Sequence, residues 1–531
     1  MSLLSNGVLL LGKEGRYLIK NSLRFCASSI TPLLSRTMST PTSQSVWTFS
    51  AWVKRGDLFR TQYLISVVAG AGIQGIGFSS DASLTLFNTS GTGAPSASST
   101  NKLRDSAGWY HIVVKSTGSQ IIGYVNGEQV VTTTGTWNVF NTAVVTRIGL
   151  NTADSFDGVL AEVIFVDGIA LNPTSFGKTL TQPTRWIPIA YTGTYNANGY
   201  RLDFSDATSL STIGYDRSGN NNNFTATGFR VGVTSPSDSL VDSPTMYSAL
   251  EDLSNQKSNG NYCTLNPSIV GTGTSIKDGG LVATLNLASV ANALGTFSVN
   301  SGKWYWEVET GYSTAQSYVG ITSSTSLVAN STAWSSQPDP KIRAYRSDGL
   351  KYNGSGTSYG ANWNKFDTIG VALDCVSGTL TFYKNGVSQG VAYSEAALSE
   401  QEWRPFISDL SGSTVNFFVN FGQYKFKYSM PNGYRPLCST FLNSEKRTLT
   451  GSYTGNGLVD GPFIQVNGVP ENVAVYAGLG WVLVTFPTYG DRLCNGFKVR
   501  TTSTLINQSG TTYTYTLDSL TPFRYANAQM S

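Results

Sequence analysis

One stretch, GTLTFYKNGVSQG at residues 378–390, constrains the fold more than any other. Its first half is almost entirely β-branched or aromatic, the side chains that suit a pleated, half-buried surface. Asn385-Gly386 then accepts positive φ at both turn positions and closes a two-residue type I′ hairpin, with Val387 and Val391 on the returning strand. The pattern recurs at residues 121–131, around Asn126-Gly127, and in a looser form at residues 463–468, around Asn467-Gly468. Copies this far apart in 531 residues predict a string of antiparallel β modules.

At roughly 150 residues per domain, the length predicts three or four domains, and with 40% hydrophobic and 12% aromatic residues each can build a core. Charged residues are only 13%, about half the usual share, so solubility rests on Gly, Ser, Thr and amides. The net charge is +4 with no Lys/Arg-rich run, which argues against nucleic acid as a partner. Cys26, Cys263, Cys375, Cys438 and Cys494 are widely spaced with no CxxC pair, which predicts reduced, buried thiols and neither a zinc site nor a disulfide framework. The apolar run Val8-Leu9-Leu10-Leu11 is too short for a signal peptide or a membrane span. The expectation is no membrane insertion and synthesis in a cytoplasm without a signal peptide.

Along the chain, residues 1–19 read as an N-terminal arm. Residues 20–180 read as one β-sandwich, with short alternating runs separated by turn signals. In Trp47-Thr48-Phe49-Ser50-Ala51 the period of two puts Trp47, Phe49 and Ala51 on one face. Residues 181–258 read as an ordered connector that packs on one or both neighbours. Residues 259–440 form a second sandwich, opened by a strand with Trp304, Trp306 and Val308 on one face. Residues 441–531 read as a small separate β domain.

Two family resemblances enter at specific residues. WTFSAWVKRG, GWYHIVV, GYVNGEQV and IGLNTADSFDGVLAEVIFVDGIAL, in that order, resemble the laminin G-like, concanavalin A-like lectin sandwich. SGKWYWEVE, YVGI, DTIGVALD, GTLTFYKNGVSQG, WRPFISD and VNFFVNFGQ resemble a SPRY domain. The fold class is therefore all-β: two antiparallel β-sandwiches, a laminin G-like jelly roll and a SPRY-like one, plus the small C-terminal β domain. The lectin-like sandwich, the connector with LDFSDA and DRSGNNNNF, and GNYCTLNP before the SPRY-like part together resemble an arrangement in tailed-bacteriophage virion proteins, often tail fibres.

Residues able to do chemistry are few. The single histidine, His111, lies in an alternating strand and reads as structural. Glu307 and Glu309 share a strand face opposite Trp304 and Trp306, so they read as a solvated face rather than a glycosidase pair. Asn151, Asp154 and Asp157 crowd one loop and are weak calcium candidates, since hard cations take oxygen ligands; a capped turn is the alternative. No catalytic residue and no cofactor is expected. The stretch from Trp334 to Trp363, in which Trp334, Tyr345, Tyr352, Tyr359 and Trp363 alternate with Gly, Ser and Asn, reads as an adaptable ligand-binding loop.

The resemblances imply a non-enzymatic virion protein on the tail or capsid surface, a tail fibre or related appendage that binds host-surface glycan or protein. Its partners would be other virion proteins and further copies of itself in a trimer. A capsid decoration or appendage-joint protein is the first alternative, a glycan depolymerase the second.

Overall fold

Strand Val46–Arg55 shows what organises the first module. Trp47, Phe49, Ala51 and Val53 are buried in the core between its two sheets. Trp52, pointing the other way, is buried in a different core shared with the second module. This computed structural model describes residues 17–531 except 27–30, 71, 92, 182–183, 233–235, 249–257, 287–290, 312–315, 324–340, 443–446, 477, 479 and 523–526. Of the expected N-terminal arm, only residues 17–19 are described. The protein is all-β, and among the described residues its α-helices are single turns of four residues, Ala397–Glu400 and Thr504–Asn507.

The first sandwich pairs an eight-stranded with a seven-stranded sheet. The central strands of the former run Tyr110–Thr117, Val46–Arg55, Gly158–Asp167, Ser22–Phe25. The segment read as a connector contributes strands of its own to this sandwich. Tyr200–Leu202 pairs with Gly158–Asp167, Ser239–Leu240 with Ser22–Phe25, and Thr225–Thr227 with Leu33–Thr37.

The second sandwich repeats the plan. Its eight-stranded sheet places Lys303–Thr310 between Val415–Asn420 and Thr368–Asp374, with the hairpin Thr379–Lys384 and Val387–Ser394 at one edge. Trp304, Trp306 and Val308 all point into its core. The C-terminal domain has a four-stranded sheet (Arg447–Thr454, Thr512–Pro522, Gly468–Tyr476, Trp481–Leu483) and a three-stranded one (Phe463–Gln465, Gly496–Val499, Gly490–Leu493).

Of the three Asn-Gly turns singled out in the sequence, two close hairpins. Val125 pairs with Glu128 around Asn126 (φ 49°) and Gly127 (φ 89°), and Lys384 pairs with Val387 around Asn385 (φ 50°) and Gly386 (φ 79°). The third does not. Phe463–Gln465 and Gly468–Tyr476 lie in different sheets, so Asn467-Gly468 is a crossing point. There the Asn467 amide donates to the Ser298 carbonyl of the second sandwich (2.9 Å). That anchor, rather than a local turn, sets the chain's course.

The modules are joined by buried polar contacts. Lys54 Nζ, on the first sandwich, donates to Asp242 Oδ2 (2.8 Å), Asn261 Oδ1 (2.7 Å) and the Tyr262 carbonyl (2.6 Å). Within the first sandwich, Arg24 donates two hydrogen bonds to Asp238 Oδ1 (2.9 and 2.6 Å), which holds the connector segment to strand Ser22–Phe25. Asp157 accepts from the backbone N–H groups of Asp278 and Gly279 in the second sandwich, both at 2.8 Å. Backbones approach closely here: a Cβ on Gly56 would lie 2.3 Å from Asp157 Oδ1 and 2.8 Å from Gly279 Cα.

The C-terminal domain is not separate. Phe463 and Leu493 complete an apolar cluster with Leu294, Ile342 and Phe406 of the second sandwich. The Cys494 N–H donates to Asp105 Oδ2 of the first (2.6 Å). The chain end then returns to that sandwich, where Trp186 and Asn527 exchange two hydrogen bonds (2.8 and 2.9 Å) and Tyr110 Oη donates to the Gln529 carbonyl (2.8 Å). Losing one partner of such a buried contact leaves the other unpaired away from water, at a cost of about 1–3 kcal/mol for a neutral group and more for a charged one.

Candidate functional site

The titratable groups that sequence reading singled out are engaged in structure. His111 is buried between Trp52 and Trp186, its ring centroid 4.7 Å from the first and 6.0 Å from the second. Its Nδ1 accepts from Trp186 Nε1 (2.8 Å), and its Nε2 lies 2.8 Å from Ser50 Oγ. Burial among rings lowers its pKa to about 3, so it is neutral at ordinary pH.

Glu307 corrects the expectation of a solvated face. It is buried, and accepts from the backbone N–H groups of Lys427 (2.7 Å) and Tyr428 (2.9 Å) and from Tyr305 Oη (3.2 Å). The segment around residues 424–430 lies over this sheet face, with Phe426 and Met430 packed on Tyr305. Burial raises the Glu307 pKa. Glu309 stays half-exposed and pairs with Lys427 Nζ (2.8 Å).

The oxygen-rich loop of the first sandwich is split by the fold. Asn151 Oδ1 accepts from the backbone N–H groups of Ala153 and Asp154, both at 2.6 Å, and Asn151 Nδ2 donates to Asp154 Oδ2 (3.1 Å). This is an Asx-capped turn. Asp157 does not share its loop chemistry. It is buried at the module junction, where desolvation raises its pKa to about 7. Among the described residues no cluster of three His, Cys, Asp or Glu side chains is placed to hold a metal.

Of the aromatic stretch from 334 to 363, residues 341–363 are described, and they include three short strands. Strands Ile342–Arg346, Leu350–Tyr352 and Gly356–Ser358 form a meander at the edge of the seven-stranded sheet. Trp334 lies outside the described residues. Tyr345 and Trp363 are fully buried, with Tyr345 packed against Trp363 (centroids 6.1 Å), Phe382 (5.5 Å) and Tyr359 (5.3 Å). Tyr352 is buried edge-on to Tyr318 (5.4 Å). These three rings build core rather than an open binding loop: Tyr345 and Trp363 pack between the two sheets, and Tyr352 on the other face lies in the cluster completed by Phe463 and Leu493 of the C-terminal domain. Tyr359 is half-buried; its hydroxyl donates to the Gly390 carbonyl (2.5 Å) and accepts from the Phe382 N–H (3.2 Å).

What this packing leaves accessible is a rim. Residues 349–364 are latched to the hairpin edge by Lys351 Nζ to the Ala392 carbonyl (2.7 Å), Lys384 Nζ to the Asn362 carbonyl (2.6 Å), and the Ala361 N–H to Gln389 Oε1 (2.9 Å). Phe366 projects from it, 62% exposed, with its backbone left-handed at φ 69° and Lys365 Nζ 4.6 Å from the ring centroid. A bulky residue held at positive φ is rare and costs energy. The next residue, Asp367, accepts from Asn385 Nδ2 (2.6 Å) at the hairpin turn, and Val387 beyond that turn is 66% exposed. Sequence reading favoured Trp and Tyr with small polar neighbours and so passed over Phe366. Its left-handed backbone was the missing signal, and only coordinates supply that.

Comparison with known proteins agrees with this geometry at the level of modules. The SPRY domain family model matches residues 303–424, and that of the concanavalin A-like lectin/glucanases superfamily matches residues 34–175. An E3 ubiquitin-protein ligase, RKP, of Arabidopsis thaliana is 35% identical over 89 residues, covering 16% of this chain. The chain spans 7% of the length of that relative. Among solved structures, the SPRY domain of human HERC1 is similar at 17% identity and a TM-score of 0.26, covering 29% of this chain and 96% of that one. The heptameric SAP-like pentraxin of Limulus polyphemus is similar at 20% identity and a TM-score of 0.24, covering 29% of this chain and 80% of that one. The chain thus carries a laminin G-like, concanavalin A-like lectin domain followed by a SPRY domain, both binding-type modules.

Proposed function

We propose that this protein is a non-enzymatic surface component of a tailed-bacteriophage virion, a tail fibre or related appendage that binds host-surface glycan or protein. The observation that carries the reading is the joining of two binding-type sandwiches and a third β domain through buried contacts such as Lys54–Tyr262, Asp157–Gly279 and Asp105–Cys494. A host-attachment device must present its rims at fixed positions, and function is carried best by loops on a rigid scaffold. The resemblance of the module order to phage virion proteins supplies the particle, and a symmetric trimer suits such an appendage. The catalytic candidates give no purchase to a hydrolytic role: His111 is neutral and enclosed, and Glu307 holds backbone amides.

The test is binding of the purified chain to glycan arrays and to intact host cells, with imaging of the particle to place its copies. Binding at a virion appendage is the expected result; no binding to either target removes the receptor role. The same buried contacts favour a second reading, a decoration or joint protein between other virion proteins, because a joint must also transmit force without hinging. Under that reading, imaging finds the Phe366 rim covered by a neighbouring virion protein.

A further inference from the structure

The four-stranded sheet of the C-terminal domain has one face in the core and one in solvent. Val473, Val475, Tyr513 and Leu517 point inward and are buried. On the other face the register sets Trp481 opposite Tyr476, Tyr476 opposite Thr514, and Thr514 opposite Ser452. Four side chains thus form one row across the sheet, about 14 Å long at roughly 4.8 Å per strand. Trp481 is 57% exposed and Tyr476 39%, with ring centroids 5.5 Å apart. The adjacent row begins with Leu483, also exposed, and continues through Thr516. Among the described residues, the hydroxyls of Ser452, Thr514 and Thr516 take no side-chain or backbone partner. Neither row carries a charge; the nearest carboxylate along the strand, Asp518, is occupied by Thr448 (2.9 Å) and Asn472 (3.3 Å).

We infer that this face is a carbohydrate-binding platform for a neutral oligosaccharide. A sugar ring offers an apolar C–H face and an equatorial belt of hydroxyls. The aromatic pair supplies flat apolar surface, and the threonine and serine hydroxyls both donate and accept, so one neutral row serves both demands. A protein partner fits less well. Among the described residues, three large apolar side chains on this face fall short of the desolvated centre that a stable protein interface needs. The edge strand Trp481–Leu483 is only three residues long, which leaves little backbone for strand addition. The inference rests on the receptor reading for its setting and deepens it, by naming a site on the one module for which sequence reading offered no family.

The experiment runs the full chain in native gels containing dextran, mannan or galactan, with anionic alginate as control, and compares it with Trp481→Ala, Trp481→Phe and Tyr476→Ala. The expected result is retardation by a neutral polysaccharide, at least tenfold weaker for Trp481→Ala, weakened for Tyr476→Ala and largely retained for Trp481→Phe. Melting temperatures unchanged from the parent confirm folded variants. No retardation by any neutral polysaccharide overturns the inference, as does retardation that Trp481→Ala leaves intact. A drop in assembly mass by light scattering on Trp481→Ala also overturns it, by making the face a contact between copies. If host-cell binding survives Trp481→Ala unchanged, the platform fails while the receptor role stands on other surfaces.

Discussion

Two aromatic groups in this protein have similar composition and opposite fates. Tyr345 and Trp363 sit among Gly, Ser and Asn, yet both rings are fully buried beneath the second sandwich's rim. Tyr476 and Trp481 sit among Ala, Gly and Val, and both rings face solvent. Neighbouring polar residues therefore say little about where a ring goes. What lies over each face decides it: Tyr345 meets Phe382 of the opposite sheet, whereas Tyr476 lies on the face opposite the core residue Val475 and stays exposed.

The contrast can be broken by mutation. The largest effect is expected from Trp363→Ala, which empties a packed site and costs about 3–5 kcal/mol. Chemical denaturation checks it, and a loss below a third of that would mean the ring is not core. Removing Lys54 as Lys54→Met strands the buried carboxylate of Asp242 and is expected to cost about 3–5 kcal/mol as well, read as a lower melting temperature or as earlier proteolysis at the module junction.

The third expectation concerns pH, and the two signs oppose. His111, with its folded pKa depressed to about 3, binds protons more readily when unfolded. Its contribution is present above the unfolded value near 6.5 and is lost as pH falls toward 3. Asp157, with its folded pKa raised to about 7, contributes stability that is full below its unfolded value near ~3.9 and lost as pH rises through 7. His111→Gln should flatten the acid limb of a melting-temperature profile, and Asp157→Asn the fall between about pH 4 and 7. Profiles unchanged by either substitution would disprove the assignment.

Smaller effects sharpen the same contrast. Tyr359→Phe removes the hydroxyl latch to Gly390 and is expected to cost about 1 kcal/mol, with amide exchange rising in residues 349–364. Trp481→Ala is expected to change stability by no more than about 0.5 kcal/mol, the mark of a ring that supports binding and not the fold.

Much of the architecture was legible because it follows from local rules. Trp47, Phe49 and Ala51 share a face, as do Trp304, Trp306 and Val308, because the period of two is a property of the strand itself. The turns at Asn126-Gly127 and Asn385-Gly386 closed hairpins because positive φ is encoded in the dipeptide. Asn467-Gly468 has the same letters and closed nothing, since its Asn side chain answers to Ser298 in another module. Glu307 was misread for a similar reason. Its strand face was rightly identified, but the cover laid on it comes from more than a hundred residues further along the chain.

The sequence by itself determined an all-β chain, the two module types and the strand faces, because each depends on side-chain size, branching and spacing within a few residues. Only the tertiary structure decided which faces meet water. Burial of Tyr345, Trp363, Glu307 and Asp157, and exposure of Phe366, Tyr476 and Trp481, follow from which distant segment lies over each sheet. That choice is made by contacts far apart in sequence, for which no local pattern carries a signal.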